Sequence, residues 1–485
     1  MARRELRSSD GAQPSALPSR FKYRRMGWNG RRRVPLPLLP RYCRRPELPR
    51  GVTTGPPGLH QFDAMGKKSA GAGENPFRVL PDDVLEHILS FLPEDDALQT
   101  CVLDTQWRDL WKRTTTLRFV YGFWSSNDDG SSISNAERFC QLAKLIIQLR
   151  GNSPLTDCEI NPCGDEDGGY NFRQTKQLIR YVLKCGVEKL YVWAGDYEDE
   201  PLQLSKRLVS LHLRIIKFYY VTMVDSSLDF SGCPALEKIA MEDCSIHGSM
   251  YSESLKYLRF TGNCVFSLDD RIHGHAPRLV SISLLLDGVL IDGGLTPSLG
   301  MMPLLKTACV RLGYSCHDST KSNNRDDVCL LLDGLSNAVD LELSSMPEVL
   351  SEVVLVFSLG ISRFLVHLQF PQLIYRWDLK WFPKFDKLKT LVLNDWFTAT
   401  DLVCLLKHSP ILEELTLELE SSQKFVGATG SGQSLECAPH LAVTIECRKD
   451  DKCVHKILKV LIACGILLTD ENSSSYNLVL LLPSG

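Results

Sequence analysis

The pattern that most limits what this chain can fold into is L-x-x-L-x-L, met again and again along its length. Clear copies are led by Leu208, Leu255, Leu279, Leu388 and Leu412, and looser ones by Leu155, Val187, Leu236, Leu305, Ala338, Leu365 and Leu441. Side chains two apart in a strand share a face, so each copy reads as a short strand with one apolar side. The twelve starts between 155 and 441 lie 26 residues apart on average, with single spacings of 19 to 33. That mean sits inside the roughly 20–29-residue period of leucine-rich repeats. A lone copy cannot bury its leucines, whereas a neighbouring copy can cover them, so the expected fold is an α/β solenoid of parallel strands.

Proline supports the register. It stands two residues ahead of the leading apolar residue at Pro234, Pro277, Pro303, Pro410 and Pro439. A proline cannot continue a helix, so each one ends the returning segment just before the next strand. The run Thr400 to His408 reads as one such helical return. The positions between the leucines, among them His212, Lys256, Arg259, Ser281, Ser283, Lys389, Val392, Glu413 and Thr416, then form an open face. Residues 437–447 read as a last strand, followed by a charged turn from Arg448 to Lys452. An amphipathic helix from Val454 to Leu461, stopped at Gly465, supplies the polar-backed cap that a solenoid needs.

Residues 77–118 have a different character. Asp82 and Asp83 follow Pro81, where the first turn of a helix favours negative charge. Val84, Leu85, Ile88, Leu89 and Leu92 recur at helical spacing as one apolar stripe, ended by Pro93. Asp95 or Asp96 is placed to cap a second short helix through Leu98, Cys101 and Val102. Thr105 is placed to cap a third, with Trp107 and Trp111 four residues apart on one face. A block this short rarely buries so many large side chains by itself. Its apolar surplus is expected to meet the repeats on one side and a partner on the other.

The runs Leu80-Pro81-Asp82-Asp83-Val84-Leu85, Ile88-Leu89-Ser90-Phe91-Leu92-Pro93, Cys101-Val102-Leu103 and Trp107-Arg108-Asp109-Leu110-Trp111 closely resemble the F-box of land-plant F-box/leucine-rich-repeat proteins. The chain departs from that pattern at Asp104-Thr105-Gln106, where the family usually carries one or two basic residues. The departure bears on partner affinity. Residues 385–419 resemble the family's late repeats, and residues 437–470 resemble its C-terminal FBD-like end. The resemblance implies four segments: a basic tail at 1–75, an F-box at 76–118, the solenoid at 119–436, and the last repeat with its cap at 437–485. It further implies a substrate-recognition subunit of a Skp–cullin–F-box ubiquitin ligase. The F-box would dock on a Skp-family adaptor within a cullin–RING assembly, and the solenoid would hold a target protein. The adaptor surface is expected among Leu80, Pro81, Ile88, Leu89, Leu92, Val102, Leu103, Trp107 and Trp111, with a true anchor worth ~2–4 kcal/mol on truncation. A surface swap such as Glu94→Ala is expected to do little. The alternative is a leucine-rich scaffold that binds protein without a ligase role.

Composition narrows the choice. The chain has 485 residues, 44% of them apolar, which is enough for a sizeable core. Its net charge is −3, yet residues 1–50 hold 14 Arg and Lys against 3 Asp and Glu, so the rest is acidic. An acidic body argues against a general nucleic-acid surface. No apolar run is long enough for a membrane span. The 17 cysteines are scattered, odd in number and set mostly in apolar runs such as those around Cys233, Cys244, Cys309 and Cys404, with no CxxC pair. Buried thiols in a reducing compartment, cytoplasm or nucleus, are the expectation. Residues 1–75 are rich in Arg, Pro, Gly and Ser, and disorder is expected there, or a working start at Met65. Arg31-Arg32-Arg33 and Lys67-Lys68 offer weak import patches, while the clustered prolines spoil a transit-peptide helix.

No catalytic motif is present: the chain lacks H-E-x-x-H, G-x-S-x-G and the Walker sequence. The glycines from Gly427 to Gly432 lack the lysine of a phosphate loop. Asp165-Glu166-Asp167 and Asp128-Asp129 are acidic runs without a calcium-loop pattern. His273, His275 and His317 near Cys264, Cys309 and Cys316 lack zinc-ligand spacing. Neither a cofactor nor a metal is expected, and the chain reads as a non-catalytic subunit.

Overall fold

A computed structural model of the chain describes residues 76–120, 135–162, 172–195, 200–266, 274–286, 300–312, 331–345, 383–419, 441–447, 452–466 and 476–480, apart from Asp104, Met301, Asp395 and Gly465. A cluster of short helices comes first and a large parallel sheet follows. Strands β1 (Thr116–Val120), β2 (Asp157–Asn161), β3 (Lys189–Trp193), β5 (Ile215–Tyr219), β7 (Lys238–Glu242), β9 (Tyr257–Gly262) and β11 (Ser281–Leu286) lie side by side in that order. The sheet continues through β12 (Thr307–Leu312), β13 (Asp340–Ser345), β14 (Thr390–Asn394), β15 (Glu414–Leu419), β16 (Ala442–Cys447) and β17 (Tyr476–Leu480). Four short strands, β4 (Leu202–Leu204), β6 (Val221–Val224), β8 (Ser245–His247) and β10 (Val265–Phe266), make a second parallel sheet from the returning segments.

The L-x-x-L-x-L spacing produces two continuous rows of apolar side chains. Ile239, Leu258, Ile282, Ala308, Leu341, Leu391, Leu415 and Val443 are ladder partners across successive strands. Met241, Phe260, Leu284, Val310, Leu343, Leu393, Leu417 and Ile445 form the second row, and both rows are buried. Removing one such Leu, Ile or Phe side chain from water contributes ~1.5–3 kcal/mol.

The proline rule has a direct cause. The amide of each leading residue donates to the carbonyl three residues back: Leu236 to Cys233 at 3.0 Å, Leu279 to Ala276 at 3.0 Å, Leu305 to Met302 at 3.1 Å and Leu412 to Ser409 at 3.3 Å. These are β-turns with proline as second residue, the position whose φ proline presets. Ala338 and Leu388 close the same turn on Leu335 and Phe385 without proline. Pro439 lies outside the described residues.

Several expectations need correction. The copy led by Leu208 is not a strand: Leu208 and Leu213 are buried, but Leu211 is exposed. The strand begins at Ile215, so Leu213, Ile216 and Phe218 carry the pattern, and His212 precedes it. The clustered leucines of 208–213 fit the pattern twice, and only the second fit brings both inward side chains opposite Leu190 and Val192 of β3. Leu365 lies outside the described residues, and β13 pairs directly with β14. Between β4 and β10 the returns are strands rather than helices. Ala442–Cys447 is not the last strand, because β17 pairs beyond it.

Helices occur in other returns: α3 (Asn135–Leu149) and α4 (Phe172–Lys184) follow β1 and β2, and α5 (Ala399–Lys407) follows β14. Thr398 caps α5, accepting from the Asp401 amide at 3.3 Å while the Asp401 carboxylate accepts from the Thr398 amide at 2.8 Å. The C-terminal helix α6 spans Lys452–Ala463, with Ile457 and Leu461 fully buried. The expectations for residues 1–75, the glycines 427–432 and the acidic runs at 128–129 and 165–167 lie outside the described residues.

Tight corners join β7 and β9 to the second sheet. Asp243 (φ 52°) holds the Asn263 amide with Oδ1 at 2.7 Å, and Gly262 (φ 70°) packs on that carboxylate. A Cβ at Gly262 would collide with Asp243 Oδ1 in a conformation L residues avoid. Gly262→Ala is therefore expected to cost about 1–3 kcal/mol, read as a lower denaturant midpoint.

Candidate protein-interaction site

Helix α1 spans Asp82–Leu89, with Pro81 in an extended conformation at its N-cap and Asp82 and Asp83 in its first turn. It ends at Ser90, whose hydroxyl donates to the His87 carbonyl at 2.6 Å, three residues before Pro93. Helix α2 runs from Glu94 to Gln99 and starts on Pro93, so neither Asp95 nor Asp96 caps it. The expected third α-helix is absent. Single 3-10 turns at Thr105–Trp107 and Leu110–Lys112 take its place, and the end expected for the second helix is a 3-10 turn at Thr100–Val102. Side chains compete with helical backbone bonding here: the Trp111 indole N–H donates to the Arg108 carbonyl at 3.1 Å, and the Cys101 thiol donates to the same oxygen at 3.3 Å.

These turns still pack as a unit. Leu85, Leu89, Trp107, Leu110 and Trp111 are buried together with Leu117 and Phe119 of β1. Leu80, Ile88 and Leu92 are partly buried against that core. Two polar clamps hold the last turns on α1. Arg113 reaches Asp82 at 2.6 Å and Glu86 at 2.7 Å, holding the Asp82 carboxyl below its ordinary pKa. The Gln106 amide donates to the Leu80 carbonyl at 3.2 Å and to Asp82 at 3.3 Å. Gln106 belongs to the sequence departure at 104–106, and its side chain is thus spent inside the block.

Large apolar side chains remain outside among exposed polar ones: Phe77, Val79, Val84, Phe91, Val102 and Leu103 face solvent, with Val102 87% and Val79 80% exposed. Of the nine residues read from the sequence, Pro81, Val102 and Leu103 are exposed, Leu80, Ile88 and Leu92 are half-buried, and Leu89, Trp107 and Trp111 are inside. Phe77, half-exposed, meets the buried Trp107 edge-on at 5.8 Å. Phe77 and Val79 escaped the sequence reading because they precede the helical stripe, where no periodicity marks them.

Glu94 is the main surprise. It is 2% exposed, not a surface residue. Its Oε1 accepts the backbone N–H of Arg118 in β1 at 3.1 Å, and burial pushes its carboxyl up to about 8. The buried Arg150 nearby donates to the carbonyls of Thr114 at 2.7 Å and Ser153 at 2.7 Å, tying the helical block to the first repeats. Beside this seam lies a cavity of about 360 Å³ between His87 and Phe91 on one side and Arg118, Glu159 and Tyr191 on the other.

Cys101, Cys158, Cys185, Cys233, Cys244, Cys264 and Cys309 are free thiols, and burial raises the pKa values of Cys244 and Cys264, the latter to about 12. Among the described residues no group of three or more His, Cys, Asp or Glu is placed to hold a metal, and no helix is long and apolar enough to cross a membrane.

Comparison with known proteins bears on this arrangement. An F-box/LRR-repeat protein of Arabidopsis thaliana is 30% identical over 213 residues, covering 38% of this chain and 54% of that protein. A second from the same plant is 26% identical over 215 residues, covering 37% and 47%. The likeness is to the plant F-box/LRR-repeat proteins. A putative F-box/FBD/LRR-repeat protein of the same organism extends the likeness, at 25% identity over 418 residues, to 76% of this chain and 87% of that relative. The chain spans about half the length of the first two relatives. No protein-family model matches it.

Glu94 sets a pH dependence. Its folded pKa lies above the unfolded value of 4.5, so between there and about 8 the folded state holds a proton that the unfolded chain releases. Stability then falls as pH rises through that window, by at most ~1.4 kcal/mol per pH unit. Glu94→Gln should flatten this slope and gain stability near pH 7.5, as urea midpoints at several pH values will report. Glu94→Ala should instead lose about 1–3 kcal/mol at pH 5, since the Arg118 amide is left without its acceptor.

Proposed function

We propose that the chain is the substrate-recognition subunit of a Skp–cullin–F-box-type ubiquitin ligase. The observation that carries this reading is the exposed apolar set on the helical block, in a chain whose relatives are named for an F-box. Pro81, Val102 and Leu103, with Val79 and Val84 beside them in sequence, would contact the Skp-family adaptor. Leu89, Trp107 and Trp111 would act from beneath by holding those contacts in place, and Leu80, Ile88 and Leu92 would do both. The repeats would hold a target protein on their open strand face.

The mechanism is proximity. Holding a target near the ubiquitin-loaded conjugating enzyme raises the local concentration of its lysines, and the receptor itself makes and breaks no bond. The raised thiol pKa values fit that division, because a thiol held protonated is a poor nucleophile. The working compartment is cytoplasm or nucleus, where such assemblies and reduced thiols coexist.

The test is adaptor capture by the folded protein. Val102→Asp combined with Leu103→Asp should abolish binding of a purified Skp-family adaptor while leaving the melting curve unchanged, since both side chains are exposed. Trp107→Ala should lower stability by about 3–5 kcal/mol, as large core truncations do. A folded parent that captures no adaptor would overturn the ligase reading and leave a leucine-rich scaffold. Capture that survives the double variant would move the contact elsewhere on the block.

A further inference from the structure

The open face of the sheet is not uniform. On β3 and β5 the outward positions carry Tyr191, Trp193, Lys217 and Tyr219. The Trp193 and Tyr219 rings stack at 3.9 Å and 26°, and the Lys217 ammonium sits 4.9 Å over the Tyr191 ring. Trp193 is 41% exposed, a large ring left facing solvent. Lys238 and Arg259 follow at outward positions of β7 and β9. Lys217, Lys238 and Arg259 are all exposed and make no ion pair among the described residues.

That contrasts with the cations around them. Lys189 is paired with Asp157 at 3.1 Å, and Arg214 and Lys256 each with Glu237 at 3.1 Å. Glu242 is the single carboxylate among the outward positions of β3, β5, β7 and β9. Further along the same face the sign reverses: Asp340, Glu342, Glu414, Glu418 and Glu446 occupy outward positions of β13, β15 and β16. With strands ~4.8 Å apart, roughly 34 Å separate Lys217 on β5 from Glu418 on β15.

We propose that strands β3 to β9 hold an Asp- and Glu-rich segment of a partner protein, with its carboxylates on Lys217, Lys238 and Arg259 and an aromatic or proline ring on the Trp193–Tyr219 pair. This rests on reading the repeats as the target-binding face and names the chemistry of the target. Charge complementarity selects the occupant: three cations without an ion pair among the described residues attract an anionic chain, and the adjoining rings supply anchor area at little entropic cost. A nucleic acid would bring phosphates along the whole face, and the acidic strands beyond β12 would repel them.

The experiment measures fluorescence anisotropy of dye-labelled peptides with the full chain. The probe repeats Glu-Glu-Tyr over roughly twelve residues, long enough at ~3.5 Å per residue to cross the patch. Matched Glu-Glu-Ala and Lys-Lys-Tyr peptides and an oligonucleotide of uridine serve as comparators. The Glu-Glu-Tyr peptide should bind best and weaken with added salt. Lys217→Glu combined with Arg259→Glu should weaken it at least about tenfold, and Trp193→Ala should remove its advantage over Glu-Glu-Ala. Both variants should keep the parent's melting curve and its adaptor capture. Absence of binding, equal binding of Lys-Lys-Tyr, tighter binding of the oligonucleotide, or indifference to both variants would overturn the proposal. Loss of adaptor capture with peptide binding intact would sink the ligase reading and leave this one standing.

Discussion

Each strand of the main sheet covers the apolar row of the strand beside it, and the molecule is held together one neighbour at a time. Leu258 is sheltered by Ile239 and Ile282, Ile282 by Leu258 and Ala308, and so on along the ladder. A leucine at any of these positions is therefore only as buried as the strands on either side allow. Two demands follow. The β-turn before each strand must deliver the leading residue in register, since a one-residue slip would turn the row toward solvent. The two ends of the ladder must be closed, because an end strand has a neighbour on one side only.

The helical block answers the second demand at β1. The free edge of that strand presents the Arg118 amide, and the Glu94 carboxylate accepts it. A buried carboxylate is a costly acceptor, but a buried amide without a partner is costly too, and the two costs are met by one hydrogen bond. Protonation of Glu94 into the neutral range relieves the charge while keeping the acceptor. Arg150 and the shared core of Trp107, Trp111, Leu117 and Phe119 complete the seam. The block and the first repeats are thus one packed body. Under the proposed receptor role this matters more than any single contact, because a loose seam would dilute the target that such a receptor concentrates.

Periodicity made the repeats legible because the side chains that recur are those that bury. The strands at 257, 281, 307, 390 and 414 begin where the spacing puts them. The pattern failed where two fits overlapped, at 208 to 213, and where the return became a strand, as at β6, β8 and β10. Tyr476–Leu480 was missed because a lone apolar run after a helical cap carries no repeat spacing. In the helical block the apolar residues were legible but their sides were not. Trp107 and Val102 look alike in a stripe, yet one is 3% and the other 87% exposed. Glu94 defeated the sequence altogether, since nothing local marks a carboxylate that is buried by a strand 24 residues away.

The same separation of duties explains why the proposed target chemistry is hard to read from the repeats in sequence. Inward positions answer to packing and are confined to a few residue types. Outward positions have no folding duty beyond β-compatibility, so their chemistry is free to follow a partner. Between strands β3 and β9 that freedom has been used for rings and unpaired cations, and between β13 and β16 for carboxylates. In the sequence these residues are scattered over some 250 positions among charges that pair locally, such as Arg214, Glu237 and Lys256. Only the ladder register sorts the paired charges from the unpaired ones and brings the latter onto one face.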